Sequence, residues 1–87
     1  MYSVIDALEP RMRMVQDIKI FHELSKLHYS LCEIAYKMGQ IDQQIDRAIE
    51  VGWLSKAEEF NIQWIRLNEE FGKVWTDVLI ILEKEGV

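Results

Sequence analysis

The sequence predicts an all-α protein: an antiparallel hairpin of two long helices with a short helical segment before it, dimerising into a four-helix bundle. Three observations carry the prediction. Two apolar seams run along the chain in alternating steps of three and four, the spacing that keeps one stripe of a helix facing a partner helix. Only one proline and four glycines interrupt the 87 residues. No alternation of apolar and polar residues is long enough to suggest a strand.

The first element is a short helix over about residues 4–9, opened by Ser3 with Asp6 three residues on, a capping-box-like start. Pro10 then either begins a new helix or kinks a continuing one, because proline fits the first helical turn. A long helix over about residues 11–50 follows. Its seam reads Ile20, Leu24, Leu27, Leu31, Ile34, Met38, Ile41, Ile45 and Ala48 without a miss. Gly39 lies off that seam, and a lone exposed glycine costs only about 1 kcal/mol against alanine, so the helix is expected to run through it.

A turn is expected at 51–55. Gly52 suits the left-handed position that ends a helix, and Ser55 with Glu58 reads as a capping box opening the next one. The second long helix, about 56–84, carries the seam Ala57, Phe60, Trp64, Leu67, Phe71, Val74, Val78 and Ile81, with Gly72 as an internal glycine. Rising ~1.5 Å per residue, it spans roughly 43 Å.

Trp53, Trp64 and Trp75 fall eleven residues apart, as do Phe60 and Phe71. Eleven residues at ~100° each return to within ~20° of the starting direction, so the period is helix geometry and maps onto the core face. Trp53 stands apart because the turn takes it off the helix. There it either covers the end of the bundle or anchors another protein.

A chain this short buries only about 60% of the surface its unfolded form exposes. With one cysteine there is no internal disulfide, and no metal-knuckle spacing supplies a staple, so oligomerisation is the expected supplement. The start "MYSVIDALEP" has no basic leader, and the apolar run "VLIIL" is far short of the ~20 residues a membrane span needs. A soluble, cytoplasmic protein that does not enter membranes is expected. A net charge of −5 argues against non-specific nucleic-acid binding, which draws on Lys and Arg.

Beyond the seam, the first long helix carries a second row of amphipathic residues: Ile18, His22, Ser25, Tyr29, Cys32 and Tyr36. Tyrosine and histidine join an apolar body to a polar tip and suit partly wet interfaces. His22, Tyr29, Cys32 and Tyr36, with Trp53 at the turn, are therefore the expected partner-binding residues. Ile62, Ile65 and Ile80 lie away from the aromatic stripe, and with Ile18 and Asp42 they form a candidate set for dimer or second-face packing. Asp42 sits within the apolar stripe near Ala35, Met38, Ile45 and Ile49, where a charge wants a partner. Two apolar faces per helix exceed what a hairpin buries, so either residues 4–19 fold back as a third helix or two copies associate; a homodimer is expected.

The chemical readings fall away in turn. His28 and Cys32, four apart, make half a zinc site with no second pair, and no Glu has a His three residues later as di-iron bundles require. Glu58–Glu59 and Glu69–Glu70 lie opposite the aromatic stripe and read as a solvated face. No catalytic residue, metal ligand or cofactor is assigned. Secreted WXG-type hairpins are similar in length, acidity and architecture, but here the turn reads Gly52-Trp53 in the reverse order and the tail lacks their tyrosine-containing export signal. Helical chorismate mutases are similarly small, yet they need several inward arginines, and Arg11, Arg13, Arg47 and Arg66 do not line one seam.

The expected function is a small non-enzymatic regulator or inhibitor that binds another protein through a helical surface. Its size and acidity are those of phage or mobile-element inhibitors directed at host complexes. The alternatives are a small bundle enzyme binding a nucleotide or metal through carboxylates, and a structural or secretion-apparatus hairpin.

Overall fold

The computed structural model describes residues 2–87, all helix and turn without a strand. Four helices follow in order: α1 Tyr2–Asp6, α2 Leu8–Met12, α3 Ile18–Glu50 and α4 Leu54–Lys84. The last two form the expected antiparallel hairpin, and the molecule measures 52 × 17 × 16 Å.

The first long helix begins at Ile18, not near residue 11. The break lies at 13–17, and its physical signal is Asp17, an extended N-cap residue whose side chain accepts from the Lys19 N–H at 2.9 Å and the Ile20 N–H at 3.4 Å. Two otherwise orphaned backbone donors are thereby satisfied. Pro10 neither starts nor kinks the long helix. It is the third residue of the five-residue α2, where its missing N–H has no intrahelical acceptor to lose. Ser3 lies inside α1 and is not its cap.

The turn is shorter than expected, because α4 starts at Leu54. Ser55 and Glu58 are both inside the helix, Trp53 is the N-cap residue, and no side chain caps this end. Closure comes instead from the end of α3. Gly52 has φ +74°, its N–H donates to the Ile49 carbonyl at 3.0 Å, and the Trp53 N–H donates to the Ala48 carbonyl at 2.7 Å. That pair of bonds is the Schellman closure, in which a left-handed glycine lets the chain turn back onto the last carbonyls. Gly86 repeats it at the end of α4, with the Val87 N–H donating to the Leu82 carbonyl at 3.1 Å.

Residues 2–17 fold back on the open end of the hairpin as a strap. Ile5, Leu8, Met12 and Val15, in steps of three, four and three, pack with Leu24, Leu31 and Ala35 of α3 and Val78 and Leu82 of α4. Arg11 Nη2 donates to the Val87 carbonyl at 2.8 Å and ties the strap to the far terminus. Full burial of four such side chains is worth roughly 6–12 kcal/mol over exposure, which offsets much of the entropy of ordering the segment. The third layer that the surplus apolar surface calls for is thus present over half the hairpin. Beyond Ala35 and Phe71 the molecule is two helices thick, and Phe60, Trp64 and Leu67 are only half-buried.

Candidate functional site

The strap divides the hairpin into a strap face and an opposite, open face. Phe21, His28, Ala35, Asp42 and Ile49 recur every seven residues along the strap-face flank of α3. Phe21 and His28 line a recess with Glu9, Met12 and Arg13 of the strap, and Ala35 is buried. Asp42 and Ile49 continue the row past the strap and are exposed. On α4 the equivalent row is Leu82, Trp75, Asn68, Asn61 and Leu54. Leu82 and Trp75 belong to the core cluster, and the other three are exposed. Both rows turn from apolar to largely polar where the strap ends. Asp42 therefore faces solvent rather than occupying an apolar stripe, and no ion pair engages it among the described residues.

The expected partner-binding residues separate. His22, Tyr29 and Tyr36 lie exposed along the back of α3, with Tyr29 71% and Tyr36 60% accessible. The Tyr36 hydroxyl accepts from Gln40 Nε2 at 3.2 Å, which steadies the ring without covering it. Cys32 parts from them, half-buried against the core that the strap completes. Burial pushes its thiol above the ordinary value, and the carboxylates of Asp6 and Glu9 on the strap push it the same way. Neighbouring His28 is half-buried, with Nε2 enclosed and unpartnered. No group of three or more His, Cys, Asp or Glu side chains is gathered to hold a metal among the described residues.

The second-face set does not form one surface. Ile80 lines a depression with Leu27 and Glu23 on the open face, Ile62 and Ile65 are exposed farther back along α4 where helical rotation sets them on other sides, and Ile18 opens α3, 79% exposed. Trp64 and Trp75 are half-buried on the core stripe, where Trp75 stacks on Phe71 at 6.2 Å between centroids. Trp64 Nε1 is enclosed without a partner.

Trp53 is different. It is 60% exposed, so it does not close the end of the bundle, and it stands in a group with Ile49, Val51 and Leu54 at 55%, 75% and 64%. Next to it a shallow depression of about 230 Å³ opens on Ala48, Val51, Trp53 and Phe60, with Arg47 and Lys56 at its edge. Lys56 Nζ is ion-paired to Glu59 at 3.0 Å and lies 5.3 Å from the Phe60 ring centroid. Sequence reasoning singled out Trp53 but missed Val51, Leu54, Arg47 and Lys56. The available signal was "IEVGWL", a turn built from large apolar residues where polar ones are usual.

Comparison of the chain with protein-family models, curated proteins and solved structures finds no match. No helix among the described residues is long and apolar enough to cross a membrane.

Proposed function

We propose that this chain is a small non-enzymatic regulator or inhibitor that works by binding another protein, and that it self-associates as a homodimer. The observation that supports this is the grouping of Ile49, Val51, Trp53 and Leu54 in the open at the hairpin tip. Scattered exposed apolar residues need no explanation, but four large ones within six residues at one end of a small protein favour an interaction surface there. Tyr29 and Tyr36, about 10 Å apart on the back of α3, add a second strip of the amphipathic type found in protein interfaces.

Small size and net acidity favour a regulator over a scaffold and a host complex as its target. The test places a photo-crosslinking amino acid at position 36 or 53 in the native host and identifies the adducts by mass spectrometry. One partner should be captured from both positions, and capture from position 53 should be lost with Tyr29→Ala/Tyr36→Ala, a variant that should keep its helicity. Unchanged capture, or loss of helicity, would remove the tyrosine strip from the proposal.

A further inference from the structure

The two faces of the hairpin tip are unlike, and their difference identifies what fits them. On the strap face beyond the strap, Ile49 and Leu54 project among the carboxylates of Asp42, Asp46 and Glu58, all exposed and none in an ion pair among the described residues. Helical rotation places no Lys or Arg on that side of the tip. The open face has the opposite character. It carries the apolar depression of about 230 Å³, lined also by Arg47 and Lys56; Lys56 is paired with Glu59, and Arg47 is in no ion pair among the described residues. One face is an apolar projection with an acidic border; the other is an apolar hollow with a basic border.

We infer that the tip binds a second copy of this chain, the strap face of one tip seated on the open face of the next. Charge complementarity selects this arrangement among the three that two copies offer. Strap face on strap face would set Asp42, Asp46 and Glu58 against their own copies, and open face on open face would do the same with Arg47 and Lys56. Only the mixed pairing brings opposite charges together while Leu54 and Ile49 meet Val51, Trp53 and Phe60. The contact is heterologous: each added copy leaves one face of each kind free, so a dimer is the first product and longer chains or a ring follow. Each patch offers a handful of side chains against the roughly 20–30 residues a side of a standard stable interface, so association is weak, with a dissociation constant on the order of 0.1–1 mM. This inference rests on the self-association proposed above and deepens it, replacing a closed homodimer with an open, head-to-tail contact of which the dimer is the first step.

Sedimentation equilibrium over a range of concentrations tests it. The weight-average mass should rise from 10.3 kDa through the dimer and beyond it, and the rise should weaken between about 0.05 and 0.5 M salt as the charges are screened. Leu54→Asp disables the projection, and Arg47→Glu/Lys56→Glu disables the hollow. Each variant alone should remain monomeric, whereas a mixture should form a one-to-one pair and stop there, because only one functional face of each kind remains. Val51→Ser, which removes an apolar wall without changing charge, covers the case in which circular dichroism shows the double variant misfolded. A wild-type chain that stays at 10.3 kDa at millimolar concentration overturns both the inference and the self-association proposal. Wild-type association that survives Leu54→Asp, or a mixture that fails to pair, overturns the tip contact and leaves self-association standing.

Discussion

The same substitution, Gly→Ala, should change stability in opposite directions at different glycines of this chain. Gly39 lies within α3 and Gly72 within α4, both exposed, and a Cβ added at either meets nothing within 4 Å. Alanine is worth about 0.8–1.0 kcal/mol over glycine in an exposed helix interior. The two sites are on different helices and share no partner, so Gly39→Ala/Gly72→Ala should gain about 1.6–2 kcal/mol. For a domain of this size that corresponds to roughly 6–16 °C in Tm. Gly52 has equally open surroundings but a φ of +74°. A residue with a Cβ pays about 1–2 kcal/mol to adopt that conformation, offset by ~0.4–1 kcal/mol from a less flexible unfolded chain, so Gly52→Ala should lose somewhat under 1 kcal/mol. Urea unfolding followed by helical circular dichroism, at a concentration where the chain is monomeric, measures all three. A loss at Gly39 or Gly72 would mean that another backbone passes close over that site. A gain at Gly52 would mean that the turn is not closed by a left-handed residue.

Two further outcomes follow from the helix ends and the strap. Asp17→Ala should cost about 1 kcal/mol because it strips the cap from α3, whereas Ser55→Ala, inside α4, should stay within about 0.5 kcal/mol; paired urea midpoints read the contrast, and equal losses would restore Ser55 as a cap. Leu8→Ala should cost 2–5 kcal/mol and speed the labelling of Cys32 by thiol reagents, since it loosens the segment that half-buries the sulfur. The Cys32 thiol, raised in the folded chain, keeps its proton to higher pH than the ordinary value of 9.0. Its contribution to stability is therefore whole below pH 9.0 and declines as pH rises past it, because the unfolded chain gives up the proton first. A labelling midpoint at or below 9.0 would refute the burial argument.

The long elements were legible because each seam repeats without a miss, and steps of three and four leave no competing register. Gly52 was legible for the same local reason: a left-handed end needs a glycine, and few glycines are available. The errors fall where a cap had to be chosen among several plausible residues. Ser55 with Glu58 has the composition of a capping box, yet the Schellman closure at Gly52 already fixes the path of the chain and lets α4 begin at Leu54. Pro10 and Asp17 both mark a possible start for the long helix; the short α2 accommodates the proline in its first turn, and the cap falls to Asp17. At the candidate site, the exposure of Tyr29 and Tyr36 agrees with the amphipathic row, but that row could not show that the strap covers Cys32 and not its neighbours. Which flank of a helix a distant segment covers is a tertiary fact that helical spacing does not contain.

It does leave a trace, and the trace accounts for Asp42. Along each flank that the strap covers, the residue every seventh position is large, apolar or small enough to be covered: Phe21, His28 and Ala35 on α3, Leu82 and Trp75 on α4. Past the strap the same positions become Asp42, Asn68 and Asn61, and apolar character returns only at Ile49 and Leu54 beside the turn. A flank that changes character twice is not a failed amphipathic helix. The first change marks where intramolecular cover stops, since an uncovered apolar flank there would be a continuous groove inviting association along the whole hairpin. The second returns apolar side chains to these two rows at the tip, where Asp42, Asp46 and Glu58 lie on the same side and Arg47 and Lys56 on the other, the asymmetry on which the proposed contact rests.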